Sequence, residues 1–360
     1  MIREQKRALI AMSGGVDSGV AALLTQREGY ECIGATMKLY RKEQPDACGG
    51  KTCCSLDDVE DARAVAAKLN IPHYVFNFSD RFEQDVIRRF VDAYENGRTP
   101  NPCIDCNRFL KFDALFRRAQ ELGCDCIVTG HYARVEYCEA SGRCLLRKAA
   151  DPAKDQSYVL WSLRQEQLAK TLFPLGGLSK PEVRQIAQEN GFVNAQKHDS
   201  QDICFVPNGK YAEFVEEYTG KSYPEGDFIT GDGRVIGKHK GVIRYTVGQK
   251  KGLGLVLPEP MYVCAIDPEA NTVRLGSSEE LFSTELTAGE INLISLPRIE
   301  RPMRLKAKVR YRQQEEWATV SQPDEHTQRV VFDRPQPAIT KGQSVVIYDG
   351  DIVVGGGVIV

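Results

Sequence analysis

Hydrophobic positions along the first two hundred residues follow two alternating periods. Short apolar runs at 7–12, 32–40, 73–78 and 124–130 have the length and β-branched content of buried strands. Between them apolar residues recur at helical spacing: Val20, Leu23 and Leu24; then Val59, Ala62, Val65, Ala66 and Leu69; then Phe82, Val86, Phe90 and Tyr94; then the stretch 111–123. Gly29 and Gly97 stand where two of these helices should stop. Ser55, with Asp57 and Asp58 behind it, and Asp80 stand where two should start. A further helix is predicted at 181–191. Strands alternating with helices predict an α/β fold: an open parallel sheet with helices on both faces.

The rhythm changes near residue 205. Residues 234–254 are rich in glycine and short strand-like pieces, and from about 282 nearly everything alternates in short strands. The predicted organisation is therefore an α/β domain at 1–205, a small mostly-β central or linker domain at 206–281, and a C-terminal β-barrel at 282–360. A chain of 360 residues is long enough for two or three such cores. Residues 301–313 read as one strand with Arg304, Lys306, Lys308, Arg310 and Arg312 on a single face.

Composition narrows the partners. A net charge of −2 argues against nucleic-acid binding by bulk charge and leaves room for a local basic face. No apolar run reaches the length of a membrane span, and the N-terminus lacks a signal-peptide pattern, so the expected location is cytoplasmic with no membrane partner. Twelve cysteines in such a chain read as buried small hydrophobes, metal ligands or catalytic thiols rather than a disulfide scaffold.

Two features carry chemistry. Ser13-Gly14-Gly15-Val16-Asp17-Ser18 follows the first strand and opens the first helix, where an open α/β sheet binds phosphate. The glycines permit backbone N–H groups to converge on an oxyanion, and the serines add hydroxyls. Asp17 would repel phosphate unless it holds Mg²⁺ or caps the helix. No lysine follows the glycines, so this is not a Walker A loop, and the stretch 215–222 fails that pattern at Val215. The second feature is the pair of thiols Cys106 and Cys204. Cys106 lies in a proline-stiffened segment beside Asn107, Arg108 and Lys111, and nearby cations favour thiolate. Cys204 follows a polar stretch with Asp199, Asp202 and His198.

The loop at 13–18 resembles that of the N-type ATP pyrophosphatase superfamily, whose fold is adenine nucleotide alpha-hydrolase-like. With "GRTPNPCIDCNRFLKF" (97–112), "VTGHYAR" (128–134), "KDQSY" (154–158), "DSQDICF" (199–205) and "YTVGQKKGLG" (245–254), the chain is similar end to end to the tRNA-specific 2-thiouridylase family. The resemblance implies that ATP adenylates the C2 oxygen of the wobble uridine of tRNA with release of pyrophosphate. A cysteine persulfide then supplies sulfur to give 2-thiouridine. It implies Cys106 as nucleophile, Cys204 as persulfide carrier and Asp199 as a candidate acid/base. ATP, with Mg²⁺, would contact Ala11, Met12, the loop 13–18, Met37 and Gly130. Contacts to tRNA would fall on Asn101, Pro102, Cys103, His131, Lys154, Asp155, Gln156, Arg310, Tyr311 and Gln343. The protein partner would be a sulfur donor, either a cysteine desulfurase or a sulfur-relay protein.

The family often has Asp where this chain has Cys103. That third thiol opens an alternative: Cys103, Cys106 and Cys204 holding an iron–sulfur cluster with one open iron. Another alternative is a pyrophosphatase-loop ligase that adenylates for amine attack, which would need neither Cys106 nor Cys204. A zinc knuckle is not expected, because no second CxxC completes it. Cys32, Cys124, Cys126 and Cys264 are expected to be packing residues, Cys138 and Cys144 to face each other across a hairpin, and Cys48, Cys53 and Cys54 to lie in a loop over the site.

Overall fold

The computed structural model describes residues 5–40, 56–197, 203–206 and 209–360. Its first sheet is parallel and five-stranded, in the order β3-β2-β1-β4-β7, built from β1 (Arg7–Ala11), β2 (Glu31–Lys38), β3 (His73–Asn77), β4 (Cys126–Val128) and β7 (Thr171–Leu172). The apolar run of β1 explains the two-sided cover. Ala8 and Ile10 join one buried cluster, with Val20, Val65 and Val183 from the helices Val16–Arg27, Leu56–Lys68 and Lys180–Glu189. Leu9 joins the other cluster, with Phe82, Phe90 and Leu110 from the helical stretches 79–95 and 102–121. Adjacent residues face opposite sides of a strand, so one short apolar run fills both cores. Each fully buried Leu or Ile contributes about 1.5–3 kcal/mol.

The helix expected at 111–123 is longer and begins earlier. Asn101 is its N-cap, Pro102 sits in its first turn, and it runs to Glu121 with a π-helical stretch at Cys106–Ala114. Within the proline-stiffened segment Pro102 is a helix start, since the first turn has no use for the missing N–H. The facing helix 79–95 carries its own π-helical turn at Glu83–Ile87.

The hairpin of β5 (Ala133–Cys138) and β6 (Arg143–Lys148) leaves the first sheet and joins the C-terminal strands, β6 pairing with β17 (Ile352–Ile359). Cys138 lies opposite Arg143 and Cys144 opposite Tyr137, so the two thiols do not face each other as expected. A four-stranded sheet follows, with β8 (Gly226–Ile229), β9 (Val235–His239), β10 (Tyr262–Asp267) and β11 (Thr272–Gly276) in the order β10-β11-β8-β9. His239 is fully buried there among Phe228 and Tyr245. Six C-terminal strands close on themselves: β12 (Phe282–Leu293), β15 (Gln328–Pro337), β14 (Glu316–Ser321), β13 (Met303–Lys308), β16 (Ser344–Asp349) and β17, with β17 returning to β12.

The basic strand expected at 301–313 ends at Lys308. Its ladder to β14 stops at Ala307–Glu316, and the Val309 amide turns to the Gln313 side chain. Arg310, Tyr311 and Arg312 therefore lie in a turn and not on the strand face. Among the described residues, no helix is long and apolar enough to cross a membrane.

Candidate active site

The glycine-rich loop leaves the carboxyl end of β1. Met12, buried behind Ala11, is fixed by its N–H to Ala35 and by the Thr36 hydroxyl on its carbonyl. The Ser13 amide donates to the Ser18 hydroxyl, which donates in turn to the Gly15 carbonyl, closing the loop on itself. Gly14 has φ +74°, and a Cβ there would lie 2.2 Å from the Asp58 carbonyl oxygen, so only glycine fits. Gly15 caps the helix that starts at Val16, which leaves that helix's first N–H groups aimed out of the loop. Gly130, beyond β4, meets the backbone of Asp17 and Ser18; a Cβ there would come within 2.9 Å of both.

Asp17 does not face a phosphate site alone. The buried Lys180 ammonium lies 2.8 Å from both of its carboxylate oxygens, and the Tyr132 hydroxyl donates to it at 2.8 Å. Lys197 bridges Asp58 and Asp61 at 2.7 and 2.5 Å, and Asn194 donates to the Gly14 carbonyl. The sequence reading missed Lys180, Tyr132, Lys197 and Asn194. Only Lys180 had a local signal, the Ser179–Glu182 capping box at the start of its helix.

The residues expected at the nucleotide and RNA side are held by several different elements. His131 is buried beside Phe112 and Phe173, with its Nδ1 at 2.7 Å from the Thr129 hydroxyl. Burial, with Lys111 adding to it, holds its pKa well below the usual histidine range, so it is neutral near pH 7. The Gln156 side chain accepts from the Tyr132 amide, and Lys154 bonds back to Asp151 through its amide. Asp155 is spent on the amides of Ala149 and Ser157 and the Ser157 hydroxyl. The Tyr311 hydroxyl donates to the Asp155 carbonyl at 3.0 Å, which brings the turn after β13 to the segment 154–157. Arg310 donates to the Val247 and Ala338 carbonyls and the Thr340 hydroxyl, and so ties the middle sheet to the barrel. Gln343 donates to the Thr99 and Pro100 carbonyls, just ahead of Asn101. Met37 lies partly buried near the end of β2.

Cys103 is exposed at the start of the helix 102–121. Burial raises the Tyr311 hydroxyl pKa, with Asp155 adding to it and Arg312 opposing. Cys106 opens the π-helical stretch and is half-buried, while Asn107 behind it donates to the Val159 carbonyl. Cys204 is half-buried too, and both thiols pack against the same apolar cluster. Phe205 anchors it, edge-on to Phe82 and Phe90 with centroids at 5.6 and 5.0 Å. Cys103, Cys106 and Cys204 are all unbridged, and among the described residues no three His, Cys, Asp or Glu side chains converge as metal ligands. The three thiols as placed do not form the ligand set an iron–sulfur cluster requires. Asp199, His198, Asp202 and the cluster Cys48, Cys53 and Cys54 lie outside the described residues.

Asp105, between Cys103 and Cys106, is pushed up to about 6 by burial; Arg89 and Arg108 oppose this and Glu290 adds to it. Cys32 and Cys126, flanking Ala8 at the other end of the sheet, are raised to about 11 and about 12 by burial, which leaves them inert packing thiols.

Comparison with known proteins settles the family. Residues 6–208 match the model described as the tRNA methyl transferase HUP domain, 212–277 the PRC-barrel domain of the same set, and 283–359 the aminomethyltransferase beta-barrel domain. The tRNA-specific 2-thiouridylase MnmA of Clostridioides difficile strain 630 is 50% identical over 354 residues, 98% of each chain. That of Acetivibrio thermocellus is 51% identical over 358 residues, 99% of each. The chain belongs to the tRNA-specific 2-thiouridylase family.

Proposed function

We propose that the protein is an ATP-dependent tRNA-uridine 2-sulfurtransferase acting on the wobble uridine. The observation that carries this reading is the intact loop at 13–18 together with two half-buried thiols that pack on one apolar cluster, in a chain about half identical to 2-thiouridylases over its whole length. The uridine C2 oxygen attacks the α-phosphorus of ATP, and pyrophosphate leaves into the loop. Gly14 and Gly15 expose backbone N–H groups to it at the helix N-terminus. Mg²⁺ bound to the ATP phosphates would supply counter-charge to the departing pyrophosphate, while Asp17, tied to Lys180 and Tyr132, holds the loop.

Adenylation leaves C2 open to a sulfur nucleophile. The terminal sulfur of a Cys204 persulfide attacks C2 and AMP departs. The Cys106 thiolate then attacks the Cys204 sulfur, the S–S bond breaks, and 2-thiouridine leaves with its sulfur reduced. Equivalently, Cys106 attacks first and releases sulfide, which attacks C2. Both routes oxidise two thiols to a Cys106–Cys204 disulfide, which a thiol reductant must reopen. A persulfidated donor protein, a desulfurase or a relay, reloads Cys204, and the site operates in the cytoplasm. Asp199 is the candidate proton carrier.

The test is an assay with ATP, Mg²⁺, a persulfide donor and unmodified tRNA, reading pyrophosphate and thiolated uridine by mass spectrometry. Cys106→Ala and Cys204→Ala should each abolish 2-thiouridine and leave ATP binding intact. Thiolated product from either variant would refute the assigned roles.

A further inference from the structure

Arg304, Lys306 and Lys308 project from one face of β13, recurring about every 6.7 Å along the strand. Successive phosphates on a nucleic-acid strand are spaced on the same order. The two ends of this row differ. At the inner end the Lys308 ammonium lies over the rings of Tyr158, Tyr348 and Tyr311, at 5.4, 5.5 and 6.0 Å from their centroids. Tyr311 in turn donates to the Asp155 carbonyl, so this end meets the segment 154–156 expected to contact tRNA. At the outer end β13 emerges from a shallow hollow of about 670 Å³, walled by Arg298 and Arg301, between Pro297 and Pro302, and by Arg304 of β13 itself.

Between the two ends stands Trp317, opposite Lys306 on β14. It is 47% exposed, and the Arg304 guanidinium and Lys306 ammonium each lie 5.5 Å from its ring. The acidic groups along the row are partly committed. Asp333 orients Arg304, Glu315 is held by Lys148 and Asp155 by backbone amides, with Glu300 at the hollow. Exposed cation–π contacts stabilise a fold by only about 0.5–1 kcal/mol each, a weak reason to leave an indole in solvent. Cations in register around an exposed indole suit a nucleic-acid strand better: bases stack on the ring or guanidinium, and phosphates meet the ammonium groups. In a chain of net charge −2 such a row is a local feature and not a general property of the surface.

We infer that this row is a second tRNA track, carrying the RNA strand away from the thiols along β13 toward the arginine hollow, with Trp317 as its stacking residue. The inference rests on the tRNA reading above. It is tested by fluorescence anisotropy of labelled tRNA on the full chain, across a salt series. Trp317→Ala should raise the tRNA Kd about 5- to 150-fold, the range expected for one lost stack, and Trp317→Phe should restore most of it. Arg298→Gln with Arg301→Gln should flatten the salt slope by about 1 to 2. ATP binding should be unchanged in all of them, which shows that they fold. Wild-type Kd and salt slope in these variants would overturn the inference. So would unchanged tRNA binding with slower sulfur delivery from a persulfidated donor protein, which would make the row a protein-docking face. A wild-type chain that bound no tRNA would sink the tRNA reading as well; wild-type binding with indifferent variants sinks only the track.

Discussion

Asp17 raised a difficulty that only the fold resolves: a carboxylate in a phosphate loop. Lys180 and Tyr132 occupy it, so the loop presents its N–H groups without an uncompensated negative charge beside them. Lys180→Ala should therefore weaken ATP binding by about 10- to 100-fold, the value of one or two hydrogen bonds to a charged group. Lys180→Ala with Asp17→Asn should recover part of that loss, because removing both partners leaves no unpaired charge. Titration calorimetry with ATP measures both; wild-type affinity in Lys180→Ala would end this account. At this scale the sequence was a partial guide. Ser13, Gly14, Gly15 and Ser18 were legible because their chemistry and spacing are local. Lys180, 163 residues from Asp17, was not, because nothing in a one-dimensional pattern reports a contact of that separation.

At the level of elements, the four parallel strands first expected and the helices between them were legible because each face of the sheet imposes its own periodicity. Two differences have one cause. The helix 102–121 absorbed a proline segment, and the strand 301–313 stopped at Lys308, because side-chain periodicity locates an element but not where its backbone hydrogen bonds end. The end of β4 shows how tightly the elements meet. Gly130 touches backbone at Asp17 and Ser18, which has no rotamer to yield. Gly130→Ala should push the loop outward at a cost of about 1–3 kcal/mol, the usual toll of overpacking. ATP-dependent pyrophosphate release should fall at least about 10-fold, with tRNA binding retained. A variant with normal pyrophosphate release would show that the loop tolerates displacement.

Across the whole molecule, the segment that carries Cys103 and Cys106 is held at both ends by the barrel. At its entry Gln343 bonds the Thr99 and Pro100 carbonyls, and the Thr99 amide donates to the Lys341 carbonyl. At its exit Glu290 of β12 accepts from Arg108 at 2.7 Å and from Arg89 at 3.5 Å, and both guanidiniums flank the Phe109 ring. Glu290 has φ +46° at an irregularity in β12, a conformation that costs a non-glycine residue about 1–2 kcal/mol and persists only where surroundings hold it. Half-exposed ion pairs are worth little singly, about 0–1 kcal/mol, so the clamp depends on its two ends acting together. The order of the three folding units was readable from the sequence; this clamp between the first and the last was not. Gln343→Ala with Glu290→Ala should raise amide hydrogen exchange across residues 99–110 by about 10-fold, equivalent to about 1.4 kcal/mol of local opening. Exchange in β1, β2 and β4 should stay at wild-type rates, and thiolation should fall while ATP still binds. Uniformly faster exchange would mean that the variant had merely lost global stability. Unchanged exchange at 99–110 would mean that the barrel does not position Cys106.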